Sequence, residues 1–281
     1  MKKPKRPTGE YASSRPTNFF DLSGKNIILT GGLGFLGRSY IKDFVASGAN
    51  VHVIDLIPGS QGVALVKMFN TQKGYGAAFY YRADVTNKNQ LESVRKKILA
   101  DFKSIDVLIN NAALNNPNVK KTRSYSSDFE NFSLDLWNKE MAVNLTGAML
   151  CCQVFGRVMK HGASIINISS TYGVVGPDQR IYSRGMFKPV SYSVTKGALV
   201  ALTKYLATYW GKKSIRVNCV VFGGVEADLS KEFIKNYSSR VPLGRMAKSG
   251  EYNGILIFLA SDRSSYSTGA VYTLDGGWTA W

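Results

Sequence analysis

From Lys25 onward, short apolar runs alternate with stretches in which apolar positions recur every three or four residues. Asn26–Thr30 is a short apolar strand. A glycine cluster follows, then a helical pattern over Phe35–Ser47 that Gly48 ends as a C-terminal cap. Val51–Asp55, Ala77–Ala83, Ile105–Asn110, Ser164–Ser169, Ile215–Val221 and Ala270–Leu274 read as further strands. Asn89–Phe102, Leu134–Val158 and Tyr192–Trp210 carry helical periodicity, and Ile255–Ala260 closes another helix. Strands that alternate with helices predict an α/β fold, a doubly wound parallel sheet of about seven strands with helices on both faces. No internal repeat and no interdomain linker follows residue 25, so a single domain is expected over residues 24–281.

Composition agrees. The chain has 281 residues, of which 44% are hydrophobic and 12% aromatic, enough to bury a sizeable core. Residues 1–23 are rich in Lys, Arg, Pro, Ser and Thr and predict a flexible basic arm. No apolar run approaches the roughly 18 residues a membrane helix needs, and the first 25 residues lack a secretory apolar region. Three cysteines (Cys151, Cys152, Cys219) cannot build a disulfide framework, which implies reduced thiols and a cytoplasmic protein. The two histidines, His52 and His161, lie far apart, so no metal site is expected. The 36 Lys and Arg outnumber the 19 Asp and Glu by 17, which leaves open nucleic acid, an anionic ligand or background charge.

The glycine cluster narrows that choice. Ile27-Ile28-Leu29-Thr30 runs into Gly31-Gly32-Leu33-Gly34-Phe35-Leu36-Gly37, and Gly32, Gly34 and Gly37 match G-x-G-x-x-G between a strand and a helix. Such glycines allow a tight turn, a close approach of backbone to pyrophosphate and close helix–strand packing. The phosphates then rest on the free N–H groups at the start of the helix, at Phe35 and Leu36. Asp55 ends the next strand, where a carboxylate accepts hydrogen bonds from ribose hydroxyls and repels a 2′-phosphate. No cation follows in Leu56-Ile57-Pro58, so NAD is expected in preference to NADP. Arg38, just past the last glycine, lies at the pyrophosphate or in solvent.

Tyr192 and Lys196 are four residues apart and share one helix face. A free tyrosine has a pKa of about 10, and a nearby ammonium stabilises its phenolate. Further motifs follow in order: Asp84-Val85, Asn110-Asn111-Ala112-Ala113, Asn144-Leu145-Thr146-Gly147, Asn167-Ile168-Ser169-Ser170 with Gly173, Arg216-Val217-Asn218 and Asp275-Gly276-Gly277. Together with Tyr192-Ser193-Val194-Thr195-Lys196 they make the chain resemble the short-chain dehydrogenases/reductases, from about Lys25 to Gly277. The resemblance implies a single-domain Rossmann fold and hydride exchange with a nicotinamide dinucleotide. It makes Tyr192 the acid/base, with Ser170 orienting the substrate oxygen. Lys196 would bind the nicotinamide ribose, and Asn144 would hold a water that links Lys196 to solvent. It also places Asp84 and Val85 beside the adenine and Asn111, Ala112 and Ala113 beside the adenosine. Gly223 and Val225 fall near the nicotinamide. Homodimers or homotetramers built through the helices of Asn144 and Tyr192 are implied in the same way.

Three departures from the family pattern matter. Glycines at 31, 34 and 37 resemble the extended branch, whose members include sugar-nucleotide epimerases and dehydratases. Only 85 residues follow Lys196, too few for that branch's second domain. The usual Pro-Gly after the sixth strand is Phe222-Gly223, and Ala227 stands where a threonine is common. Ser170 and Tyr192 are 22 residues apart, longer than is usual, so an insertion over Pro177–Pro189 lies beside the active site. It carries Arg180, Arg184 and Lys188 against Asp178 alone, candidates to meet an anionic substrate. A second long segment, Leu114–Ser133, holds Lys120, Lys121 and Arg123, and Val225–Met246 is expected to form a lid. The Tyr172–Gln179 stretch and the Asp-Gly-Gly-Trp-Thr-Ala-Trp ending are loosely similar to bacterial dehydrogenases of surface-glycan and flagellin-modification pathways.

The expectation is thus an NAD(H)-dependent oxidoreductase for a secondary alcohol or ketone, on a sugar-like anionic small molecule. Alternatives are a 3-oxoacyl-thioester reductase, a sugar-nucleotide epimerase or dehydratase, and a non-catalytic dinucleotide- or nucleic-acid-binding protein. The six cations and two carboxylates of residues 1–25 leave +13 on the rest, which an anionic cofactor and substrate partly explain without nucleic acid.

Overall fold

In a computed structural model, residues 20–70, 76–114 and 128–281 are described. The sheet is built from β1 (Asn26–Thr30), β2 (Asn50–Asp55), β3 (Ala77–Arg82), β4 (Val107–Asn110), β5 (Ser164–Ser170), β6 (Arg216–Phe222) and β7 (Val271–Leu274). Every residue of β1, β4, β5 and β6 is buried, because both faces of a parallel sheet are covered by its crossover helices. This explains why these strands read as nearly continuous apolar runs rather than as alternating ones.

The helices are α1 (Phe35–Ala46), α2 (Gly59–Lys67), α3 (Lys88–Phe102), α4 (Leu134–Met141), α5 (Gly147–Gly156), α6 (Val190–Trp210), α7 (Lys231–Ser238) and α8 (Asn253–Ala260). On one face, α1 and α8 close a core that holds Ile27, Leu29, Tyr40, Phe44, Val53, Ile109, Val220 and Leu256. On the other, α3, α5 and α6 close one with Ile28, Ile54, Leu91, Ile98, Leu108, Phe155, Ile165 and Trp210. Adjacent β1 residues Ile27 and Ile28 serve opposite cores, as the two-residue period of a strand requires.

All pairings are parallel, in the order β3-β2-β1-β4-β5-β6-β7. The chain winds outward from β1 to β3, then returns to pair β4 with β1 on its other side. That reversal opens a crevice beyond the carboxyl ends of β1 and β4, where open α/β sheets bind ligands. The fold is the expected seven-stranded Rossmann sheet with helices on both faces.

The predicted Leu134–Val158 helix is α4 and α5 joined by one π-helical turn, Ala142–Thr146. Two helices went unexpected. α2 opens on Gly-Ser-Gln-Gly, a poor helical sequence, and α7 lies in the segment expected as a lid. Leu22, expected in the arm, is fully buried and its N–H donates to Ser47 O at 2.8 Å, so the folded body already includes it. The expected arm up to residue 19 and the cations Lys120, Lys121 and Arg123 lie outside the described residues. The three cysteines are free and buried. Among the described residues no helix is long and apolar enough to cross a membrane.

Candidate active site

The crevice begins at the turn after β1. Gly31 adopts φ +61°, in the left-handed region, and a Cβ there would meet Ala112 Cα at 2.8 Å. A Cβ on Gly37 would overlap the Gly32 carbonyl. The chain can therefore fold back into α1 only with glycine at these positions. α1 starts with no side-chain cap and no carboxylate in its first turn, so the first N–H groups of the helix, at Phe35 and Leu36, receive no anion from the helix itself. Asn111 fixes this turn from β4, its Nδ2 donating to the carbonyls of Thr30 and Gly31 at 3.0 Å each. Thr30 Oγ1 accepts from the N–H groups of Asn111 and Ala112, both at 3.0 Å.

Asp55 joins the turn to the end of β2. Its Oδ2 accepts from Leu33 N at 3.0 Å and its Oδ1 from Leu56 N at 2.8 Å. Arg38 Nε donates to Leu33 O at 2.9 Å, so this side chain braces the turn. Asp84 accepts from Thr86 N and Oγ1 at 2.8 and 2.7 Å, and Val85 is buried. Gly223 carries the far wall: its N–H bonds Leu274 O and its carbonyl accepts from Tyr252 Oη at 3.0 Å. Val225 bridges to Ala247. These groups lie around the glycine turn and the ends of β2, β4 and β6, where the sequence leads one to expect the dinucleotide.

The catalytic candidates meet at the end of β5. Ser170 is buried, accepts from Tyr172 N at 3.3 Å and stands near enough to the Tyr192 hydroxyl to favour its ionisation. Lys196, one turn along α6, is buried and donates to Ile168 O at 2.7 Å. Gly173 makes this approach possible, since a Cβ there would meet the Lys196 carbonyl carbon at 2.6 Å. Ser169 Oγ seals the same contact by donating to Lys196 O at 2.7 Å.

Burial raises the Tyr192 pKa above its ordinary value, the Ser170 hydrogen bond lowers it, and the charge of Glu140 raises it. Burial also pushes Lys196 down to about 8, against the charge of Cys219. Tyr192 thus stands above its ordinary value, not below it as expected from Lys196, and burial is the largest cause. Lys196 Nζ lies 5.8 Å from the Tyr192 ring centroid.

Asn144 sits in the π-helical turn, a distortion common at functional sites. Its side chain was expected to hold a water. It instead accepts from Leu114 N at 2.7 Å and donates to Leu114 O at 3.2 Å, tying the helix to the chain after β4.

The three insertion cations separate. Arg180 is held by its own loop, its Nε and Nη2 donating to the Asp178 carboxylate at 2.8 and 2.9 Å. Arg184 is exposed. Lys188 reaches the catalytic group: its Nζ lies 3.7 Å from the Tyr192 ring centroid and 6.0 Å from that of Tyr172. The insertion is anchored by buried Ile181, which joins Tyr172, Tyr237, Val241, Met246 and Trp278 in a third apolar cluster. Residues of the expected lid thereby pack on the insertion.

Glu140 was missed in the sequence. It is buried, and Ser191 Oγ donates to its Oε2 at 2.5 Å. A signal existed: Glu140 stands four residues before Asn144, on the same helix face.

The family model described as enoyl-(acyl carrier protein) reductase matches residues 35–279. The chain is 33% identical over 270 residues to a 2,5-dichloro-2,5-cyclohexadiene-1,4-diol dehydrogenase of Sphingobium indicum, covering 92% of this chain and 99% of that one. Its fold is similar to that of a gluconate 5-dehydrogenase from Burkholderia cenocepacia J2315, solved with NADP and tartrate. The TM-score is 0.81 and the identity 28%, over 94% of this chain and 98% of that one. An oxidoreductase from Haemophilus influenza, solved with bound NAD, gives a TM-score of 0.79 and 28% identity over 93% and 97%.

Proposed function

The chain belongs to the short-chain dehydrogenase/reductase family, and on that premise we propose that this oxidoreductase interconverts a secondary alcohol and a ketone on an anionic, sugar-derived small molecule, with NAD(H). The observation that carries the reading is Tyr192 at the end of β5 near Ser170, with the ammonium groups of Lys188 and Lys196 over its ring at 3.7 and 5.8 Å. When bound, a nicotinamide dinucleotide supplies the hydride acceptor or donor.

The chain's own residues do the rest. Tyr192 takes the proton of the substrate hydroxyl in oxidation and returns it in reduction. General acid/base work of this kind contributes about 10²–10⁴-fold. Ser170 Oγ binds the same oxygen and fixes its angle to Tyr192. Lys196, held on Ile168 O, keeps a positive charge near the phenolate and binds the nicotinamide ribose. Asn144 holds the chain after β4 against the helix that carries it. Asp55 supports the NAD preference, because a 2′-phosphate would meet its carboxylate.

The sugar-like substrate is supported by the basic insertion beside Tyr192 and by the loose likeness to glycan-pathway dehydrogenases. A homodimer or homotetramer through α5 and α6 is supported by exposed Val194, Tyr205 and Tyr209 on α6, the last two with rings stacked at 6.0 Å. A screen of sugar phosphates, nucleotide sugars and sugar acids with NAD, read as NADH absorbance, tests the function. Turnover of one of them is expected. NADPH-dependent reduction of 3-oxoacyl thioesters, with none of the panel turned over, would replace this reading with the acyl-reductase one.

A further inference from the structure

Lys188 is held in place from both sides. Its N–H donates to Gln179 Oε1 at 3.0 Å, and Pro189, the next residue, is the N-cap of α6 and accepts from Tyr192 N at 3.2 Å. The proline ring fixes the backbone angle through which the insertion enters α6. The Lys188 ammonium thus stands against the face of Tyr192, 3.7 Å from the ring centroid, while that of Lys196 stands 5.8 Å away. The aromatic face attracts a cation, and a phenolate ring, richer in electrons than a phenol, attracts it more.

We propose that Lys188 is a second positioning cation of Tyr192, favouring the phenolate from the ring face, nearer the ring centroid than Lys196 is. The inference rests on Tyr192 being the acid/base of the proposed function.

The surroundings leave room for such a role. The groups whose charge or hydroxyl faces Tyr192 are Ser170 from β5, Tyr172 just beyond it, Tyr182 from the insertion and Glu140 from α4. Among the described residues, Tyr237 from α7 and Tyr252 before α8 also interact with it electrostatically. None of these supplies a positive charge, and Glu140 opposes the phenolate. Glu140 has a compensating effect on Lys188. Burial pushes Lys188 down to about 8, the Glu140 charge holds it up, and the Lys196 charge lowers it. The ammonium is therefore present below pH about 8 and is lost as pH rises through that value.

The test needs no substrate. Tyrosinate difference absorbance between otherwise identical chains with and without Tyr192→Phe isolates the titration of Tyr192. It is measured in Lys188→Arg, which stays charged, and in Lys188→Met, which is neutral. A charge at this range moves an acid by about one unit or more. The Tyr192 midpoint is expected about one unit or more lower in Lys188→Arg than in Lys188→Met, with the wild type close to Lys188→Met because its own ammonium is lost near pH 8, before Tyr192 ionises. If the methionine variant fails to fold, Lys188→Gln takes its place. Midpoints within a few tenths of a unit of each other would overturn the inference. In turnover assays, the oxidation rate of Lys188→Met should fall about tenfold at neutral pH. It should converge on the wild-type rate above the Lys188 pKa, with Lys188→Arg keeping the neutral-pH rate. A raised KM for anionic substrate with an unchanged pH profile would make Lys188 a substrate contact instead. Retained turnover in Tyr192→Phe would sink the functional reading itself, a result distinct from equal midpoints.

Discussion

One side chain, Asp55, and one missing side chain, at Gly173, shape the glycine turn and the surroundings of Tyr192. Asp55 has both carboxylate oxygens on backbone N–H groups, one from the phosphate turn and one from the residue after β2. It therefore organises the turn, besides its proposed place at the ribose. Asp55→Ala is expected to lower the ratio of kcat/KM with NAD to that with NADP by about tenfold, a loss of about 1.4 kcal/mol of discrimination. It should also cost about 1–2 kcal/mol of stability through the two lost hydrogen bonds. Unchanged discrimination would remove Asp55 from the cofactor site. Gly173 is the missing side chain. Its Cβ would press on the Lys196 carbonyl carbon, and backbone on a buried helix cannot yield cheaply. Gly173→Ala should cost about 1–3 kcal/mol of stability. By moving Lys196 and Ser170 against Tyr192 it should lower kcat/KM by about 100-fold. Thermal unfolding and steady-state kinetics on one preparation check both, and wild-type kinetics would show that the approach is not tight. Of the site residues, Tyr192, Lys196 and Ser170 were legible because their chemistry is tied to local motifs. The Lys188 contact with the Tyr192 ring and the Glu140–Ser191 hydrogen bond were not, because they join segments that are distant along the chain or separated by a turn of unknown course.

At the scale of elements, the strands were legible almost to the residue, because buried parallel strands leave an unbroken apolar signal. β1 matches its predicted span, and β2 and β5 differ from theirs by one residue at one end. α2 escaped because glycines at 59 and 62 hide its periodicity, and Gly62 is needed where the helix meets the Tyr80 ring. α7 carried readable signals, a Ser230 cap and Phe233, Ile234 and Tyr237 on one face, inside a segment expected as a lid. β2 also carries a titrating residue. His52 is fully buried, packed on Phe79 and Phe102, and burial lowers its pKa from 6.5 to about 4. The native state thus binds fewer protons there than the unfolded chain. Stability is intact above pH about 6.5 and is lost as pH falls toward about 4. The unfolding free energy should drop by about 2 kcal/mol from this group between neutral pH and about pH 5. A flatter profile is expected for His52→Gln, measured by urea unfolding. Equal slopes in the two proteins would mean that His52 does not titrate this way.

At the scale of the molecule, the sheet reversal at β1 and β4 puts the phosphate turn and the catalytic end of β5 on one rim. The insertion and the α7 segment close over the β5 side as one apolar cluster. Of the net charge of +17, residues 26–281 carry +13, and among the described cations Lys188 and Lys196 stand over the Tyr192 ring. The oligomer expected through α5 and α6 would cover Tyr205 and Tyr209, which are 64% and 62% exposed. Tyr205→Glu would bury a charge in that interface and is expected to shift the protein toward monomer in light scattering, because an unpaired buried charge costs several kcal/mol. An unchanged mass would place the interface elsewhere.

The central claim is that Tyr192 exchanges the proton in a nicotinamide-dependent oxidation. The most direct measurement compares wild type with Tyr192→Phe on the alcohol found in the screen, reading NADH absorbance for turnover and calorimetry for NAD binding. NAD affinity is predicted to stay within about twofold while turnover falls by at least about 100-fold. Turnover in the variant close to that of the wild type would contradict it.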